Sequence, residues 1–312
     1  MPAPLAHTYS IVAYDPESKQ FGVAVQSHYF SVGPIVGWAR PGVGAVATQS
    51  FVEISYGPLG LELMHAGKTA EQALSSLLAG DPQAEQRQVA MIDAKGIVAT
   101  HTGKRCIAAA GHRQGKNYSV QANLMLKDTV WDAMAEAYEK AAGDLAARML
   151  AALFAAEAEG GDIRGKQSAA LLVVSGDAGL PAWGGRIFDL HVDDHPKPLE
   201  ELARLLAIGR AYAHAQNASD LLADKTRTDE KFGLAEKEFQ FAAGEPAMTG
   251  NVELVFWYAA DLVNAGRVET ALPFFKTVFD ADPAWRDLVP RLAKVGLLVD
   301  EAAILERIAR VH

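Results

Sequence analysis

An α+β fold, with antiparallel sheets covered by helices and an all-α segment at the C-terminal end, is predicted for this 312-residue chain by three observations. First, strand-like runs come in groups separated by helix pairs: strands, two helices, four strands, two helices, two strands. A parallel sheet would instead alternate strand and helix one by one. Second, the runs 8–15 and 20–28 flank Asp15-Pro16-Glu17-Ser18-Lys19. Its Pro presets φ and its Asp and Ser bond locally, so the pair predicts a β-hairpin. Third, from about Pro198 onward only helical periodicity remains. The expected domains are 1–197 and 198–312, with a linker over 193–198.

After the hairpin, a loop at Ser31-Val32-Gly33-Pro34 leads to a run over 35–39, and the turn Arg40-Pro41-Gly42 leads into 43–49. That strand carries small side chains, which suit close packing from above or a nearby ligand. Tyr56-Gly57-Pro58 opens a helix whose apolar positions are Leu59, Leu61, Leu63 and Met64, with Gly67 at its C-terminal cap. A second helix starts at Thr69, where Gln72 completes a capping box, and ends at Gly80-Asp81-Pro82. Four runs then read as strands, 88–92, 97–101, 105–110 and 118–126, with turns over 93–96 and 111–115. Asp128 and Thr129 cap a helix over 130–142. Another spans 145–159, with Leu145, Met149, Leu150, Leu153 and Phe154 at helical spacing, and Gly160-Gly161-Asp162 stops it. The near-continuous apolar run 168–175 predicts an interior strand, with 185–192 as its partner.

In the tail, 199–214 and 229–243 read as helices. The stretch from Phe256 through Gly266, Ala271 and Phe275 to Asp282-Pro283 resembles a tetratricopeptide unit, in one good copy. One copy cannot bury its own faces, so it is expected to pack on the first domain or on a second subunit. The aromatic residues Phe256, Trp257, Phe274, Phe275 and Trp285 point to a homo-oligomer.

Bulk properties exclude several function classes. A net charge of -9 with no basic run argues against nucleic-acid or anionic-membrane binding. One cysteine, Cys106 in an apolar run, leaves no internal disulfide or multi-cysteine metal site and predicts a buried small hydrophobe. No apolar stretch is long enough to span a bilayer, and residues 1–7 lack the basic and apolar regions of a secretory signal, so the expected location is cytoplasmic. Gly42-Val43-Gly44 precedes a strand rather than opening a helix, so no nucleotide cofactor is predicted. A metal site would need His28, His101 and Asp162 to converge without any ligand-like spacing, and none is predicted.

The hairpin puts Thr8 beside Gln26, Ser27 and His28. A hydroxyl among polar groups at the end of a buried sheet is either a reaction centre or an ordinary polar strand end; the stretch alone leaves both open.

Seven blocks bear on that choice: 8–13, 22–28, 42–49, Tyr56-Gly57-Pro58-Leu59-Gly60, His101-Thr102-Gly103, 118–123 and 161–170. Together they resemble the domain of unknown function 1028 family, a group related by fold to the N-terminal-nucleophile (Ntn) hydrolases. The resemblance implies a four-layer αββα sandwich and an amide-bond hydrolase acting on a small-molecule amide or peptide. In such enzymes the first residue of the mature chain attacks a carbonyl, and its own α-amine, with a pKa of about 8, takes the proton. Carried over, the resemblance makes Thr8 the nucleophile. It makes Asp162, Arg164 and Ser168 the equivalent of an Asp-containing loop that orients it. Thr48, Gln49 and Asn123 become oxyanion or substrate donors, beside Gln26, Ser27 and His28. The chain departs from the pattern in one respect: residues 1–7 precede Thr8, where related members commonly carry Met alone. Either the His7–Thr8 bond is cleaved, the true start differs, or Thr8 is not an N-terminal nucleophile. The alternative function is a non-catalytic binding or scaffold protein on the same fold, contacting its partner through the tail. The tail also resembles the companion segment labelled a peptidoglycan-binding domain, which would make it a cell-wall binder.

Overall fold

The computed structural model describes residues 5–181, 183–226 and 228–311. The chain forms two compact units, Met1–Leu206 and Ala207–His312. The division falls inside a long helix, a few residues past the change in sequence character at Pro198.

The first unit begins with β1 (Leu5–Ala6), β2 (Thr8–Asp15) and β3 (Gln20–Ser27), then α1 (Gly33–Val36), β4 (Gly37–Arg40) and β5 (Gly44–Phe51). Helices α2 (Tyr56–His65) and α3 (Ala70–Gly80) precede strands β6 (Arg87–Asp93), β7 (Val98–Thr102), β8 (Gly111–Gly115) and β9 (Tyr118–Ala122). Helices α4 (Val130–Lys140) and α5 (Leu145–Ala158) lead to β10 (Ser168–Ser175), β11 (Arg186–Val192) and α6 (Pro198–Ala223). The strands form two sheets. One is ordered β1-β5-β6-β7, with β4 also on β5; the other is β11-β10-β3-β2-β9-β8. The registered pairings are antiparallel.

Side chains alternate across a strand, so each sheet has two faces with different partners. Tyr9, Ile11, Ala24, Leu171 and Val173 share a core with Val130 and Met134 of α4 and Leu145, Met149 and Leu153 of α5. The opposite face, through Val12, Val23, Val25 and Ala170, packs on Ala45, Ala47, Ala90 and Ile92 of the other sheet. That sheet's outer face, through Val46, Val89 and Met91, buries Tyr56, Leu61, Met64 and Leu74 of α2 and α3.

The local signals act as the sequence predicts where they are self-contained. In the hairpin turn Asp15 accepts bonds from Glu17 N (3.1 Å) and Ser18 Oγ (2.9 Å). Thr69 and Gln72 form a reciprocal capping box at α3. Gly67, at φ 92, closes α2: its N–H reaches Met64 O and the Lys68 N–H reaches Leu63 O, which satisfies two terminal carbonyls.

Three expectations fail. Residues 105–110 are not a strand; the strand is the next stretch, β8, where Gly-His-Arg-Gln-Gly reads as a turn by composition. It is held by pairing with β9 across a two-residue loop, Lys116-Asn117, with Asn117 at φ 65. As an edge strand it exposes alternate side chains, hence its polar content. Cys106, in the displaced segment, is half-buried rather than buried; its Sγ donates to Arg87 O at 3.3 Å, and burial raises the thiol pKa. Thr129 occupies the N-cap of α4 without capping it, because its hydroxyl donates to Glu159 at 2.8 Å instead.

The second unit contains the end of α6 followed by α7 (Asp229–Ala243), α8 (Glu253–Asn264), α9 (Val268–Ala281), α10 (Leu288–Lys294) and α11 (Ala302–Ala309). Phe256 and Phe275 are fully buried in its own core with Ala259, Ala271 and Phe279. Those two aromatic side chains are therefore consumed by internal packing, whereas Trp257 stays 37% exposed. No helix among the described residues is long and apolar enough to cross a membrane.

Candidate active site

The site is a seam where the chain passes from one sheet to the other. β1 lies on β5, in the register Leu5↔Phe51 and Ala6↔Ser50. β2 belongs to the second sheet, in the register Thr8↔Ser27. His7 alone joins the two, so its peptide carbonyl sits between the sheets.

Ser168 of β10 also pairs with Ser27. Thr8, Ser27 and Ser168 therefore form one row of hydroxyl residues across three neighbouring strands. By strand parity with Val12, Val25 and Ala170, the row faces the other sheet.

The carbonyl of His7 accepts two hydrogen bonds, from Ser27 Oγ at 2.6 Å and from Arg164 Nη2 at 2.8 Å. The guanidinium is itself clamped. Asp162, its side chain fully buried, accepts from Arg164 Nε (3.0 Å) and Nη2 (2.6 Å), from Arg164 N (2.9 Å) and from His28 N (3.2 Å). The fork geometry fixes the direction of the second Nη2 N–H of Arg164, the one that donates to the His7 carbonyl. Gly161 (φ 54) and Gly165 (φ 107) shape the turn that carries this pair.

Thr8 is fully buried. Its hydroxyl donates to the carbonyl of Ala6 at 2.7 Å. Its own carbonyl accepts from Asn123 N (3.1 Å) and Gln49 Nε2 (3.1 Å). Beyond it runs a chain of buried amides. Gln88 Oε1 accepts from Gln49 Nε2 (2.7 Å) and Asn123 Nδ2 (2.9 Å). Gln88 Nε2 donates to Thr102 Oγ1, Gly111 O and Ala122 O. Ser10 Oγ donates to Gln49 Oε1 and accepts from Gln121 Nε2, both at 2.6 Å.

Because Asn123 Nδ2 is committed to Gln88, its Oδ1 is the acceptor for His7 Nδ1 at 2.8 Å, which makes Nδ1 the protonated nitrogen. Desolvation lowers the His7 pKa below 6.5. The Asn123 bond opposes that shift and the Arg164 charge reinforces it. The imidazole is therefore neutral near pH 7.

The predicted residues thus separate into two groups. Thr8, Ser27, Gln49, Asn123, Asp162 and Arg164 come together around His7 and Thr8: Ser27 and Arg164, the latter held by Asp162, on the His7 carbonyl, and Gln49 and Asn123 on the Thr8 carbonyl. The others have different partners. Ser168 Oγ donates to Tyr29 O (2.5 Å) and accepts from Val32 N, which ties down the loop after β3. Thr48 lies on the opposite face of β5 from Gln49, its hydroxyl on Glu53 O at 3.1 Å. Gln26 points toward the helices beside Tyr9; its amide is buried without a hydrogen-bond partner among the described residues. The His28 ring is exposed, and His101 Nε2 meets Ala84 O at 2.9 Å. Among the described residues no three His, Cys, Asp or Glu side chains group to hold a metal ion.

The residues missed from the sequence are His7, Ser10, Gln88 and Gln121. For Ser10, Gln88 and Gln121 a signal was available: each is a polar side chain at an inward position of an alternating strand, where an apolar residue is expected, whereas His7, between two strands, carries no such signal.

Two facing antiparallel sheets backed by helices, with an arginine-held carbonyl at their seam and a helical C-terminal region, define the class as a mixed α/β protein with an added helical unit. The chain belongs to the family of unknown function DUF1028, whose family model matches residues 8–202. It is similar to the crystal structure of a DUF1028 protein from Silicibacter pomeroyi, at 29% identity and a TM-score of 0.58, over 64% of this chain and 88% of that one. No curated protein matches the chain.

Proposed function

We propose that this protein is an Ntn-type amidohydrolase in which Thr8 is the nucleophile, once opening of the His7–Thr8 bond frees its α-amine. The observation that carries the reading is the His7 carbonyl, which accepts one neutral and one charge-assisted bond immediately before a hydroxyl residue. Donors fixed on a carbonyl oxygen before reaction are what an oxyanion needs, because nothing has to reorganise as charge develops.

In this reading the Thr8 oxygen adds to a substrate carbonyl carbon, and the α-amine takes the hydroxyl proton. Ser27 and Arg164 hold the oxyanion. The C–N bond breaks, the leaving amine receives the proton, and water then hydrolyses the Thr8 ester to release an acid. Asp162 positions Arg164; Gln49 and Asn123 hold the Thr8 carbonyl and so fix the strand end. The facing sheets with outer helices are then a four-layer sandwich of the Ntn type. The remaining parts of the reading are a cytoplasmic location and a homo-oligomer.

The test is a chain whose intact mass begins at Thr8, treated with an acylating β-lactone. Labelling should occur at Thr8 and vanish in Thr8→Ala, with amide hydrolysis falling at least a hundredfold. A processed chain that resists the reagent would sink the proposal.

A second reading is favoured by a different observation: with His7 attached, Thr8 is buried, its nitrogen is an amide and its hydroxyl is engaged by Ala6. A chain that keeps residues 1–7 throughout would be a non-catalytic binding protein, with the helical unit as its contact surface.

A further inference from the structure

We infer that the groove filled by residues 5–7 is a peptide-binding cleft, and that the substrates are peptides bound in extended form as an added strand on β5. This rests on the Thr8 reading above and supplies its substrate class.

Three features of one short segment support it. First, the edge of β5 opposite β6 is shared: β4 covers residues 44–47, and β1 covers only Ser50 and Phe51. Loss of residues 1–7 would uncover an unpaired strand edge beside the reacting atoms. Such an edge is a template for another extended chain. Second, His7 occupies a formed side-chain position. Its ring stands edge-on to Phe51, with centroids 5.7 Å apart, and its Nδ1 donates to Asn123. Third, the carbonyl that follows lies on Ser27 and Arg164. Backbone pairing, a side-chain position and the reacting carbonyl thus fall on consecutive residues, in the order in which a peptide would present them.

The cleft so described reads two things. An extended backbone of at least two residues must precede the scissile bond. The residue supplying the carbonyl should carry a flat side chain with a hydrogen-bond donor, for Phe51 and the Asn123 Oδ1. A simple amide without the preceding backbone loses the pairing. Hydrolysis would release an acid ending in that residue, with the amine portion leaving first and water regenerating the Thr8 hydroxyl.

The experiment uses the full chain after its own loss of residues 1–7, verified by intact mass, and reads protection of Thr8 from a β-lactone probe. Acetyl-Leu-Ala-His acid is compared with its N-methyl-alanine analogue, with acetyl-Leu-Ala-Leu and with acetyl-histidine. Each lost hydrogen bond should weaken protection by about tenfold. The tripeptide should therefore protect best, the N-methyl and leucine forms about tenfold less well, and acetyl-histidine worst. Equal protection by all four, or none, with Thr8 still labelled, overturns the peptide cleft and leaves the nucleophile standing. Absence of label in the processed chain, or retention of residues 1–7, removes both.

Discussion

At the scale of single residues, His7 is the informative position. It is a buried imidazole between two sheets, with desolvation as the main force on its protonation. In the chain that retains residues 1–7, its ring should titrate below the ordinary 6.5, visible in the NMR shift of its Cε1 proton. The linkage has a definite sign. The unfolded chain takes up the proton at higher pH than the folded one, so the stability from neutral His7 is full above 6.5. It is lost as pH falls through the lower folded value. His7→Asn should flatten that part of the stability–pH curve, and a titration at or above 6.5 would contradict the buried placement. Legibility at this scale was uneven. Thr8, Ser27 and Asp162 stand out as polar residues beside strand ends or turns. His7 does not, because its importance comes from linking two sheets that are far apart in sequence order.

At the scale of elements, β5 is the strand on which both the seam and the outer helices depend. Gly44 begins it at φ 149, and a Cβ there would lie 2.0 Å from the Ile92 carbonyl oxygen of β6. Neither the backbone conformation nor the neighbouring carbonyl can yield cheaply. Gly44→Ala should cost about 3 kcal/mol in urea unfolding, through strain and a disturbed β5–β6 register. A change below about 0.5 kcal/mol would mean that the strand end relaxes freely. The hairpin β2–β3, the capping box of α3 and the apolar strand β10 were readable because their causes are local. β8 was not, because a polar edge strand is defined by the partner it pairs with.

At the scale of the first unit as a whole, the buried amide chain centred on Gln88 fastens the two sheets to each other. Gln88 joins β6 to Gln49 of β5, to Asn123 and to backbone carbonyls of Gly111 and Ala122, all at good distances. Replacing it by leucine leaves several buried groups without partners at once. Gln88→Leu should therefore destabilise by about 2–4 kcal/mol, more than its area loss would suggest, as read by calorimetry or denaturant titration. An unfolding free energy unchanged within about 0.5 kcal/mol would show that the network contributes little to stability. In the second unit the aromatic residues that pointed to assembly are largely spent on its own core, Phe256 and Phe275 above all. Periodicity places such residues on a helix face but does not say which neighbour covers that face.

By itself the sequence determined most of the element types, β8 being the clear exception, together with the grouping that demands antiparallel sheets, the switch to helices near Pro198 and the family blocks that single out Thr8. These follow from periodicity, turn chemistry and caps, which act over a few residues. Only the tertiary structure decided which polar residues meet. Thr48 and Gln49 are neighbours in the chain but face opposite ways, while Asn123 and Arg164 arrive at the His7 carbonyl and Thr8 from distant segments. Side-chain alternation on a strand sends adjacent residues to different layers, and sheet pairing brings remote ones together, so the seam exists only once both sheets have closed on each other.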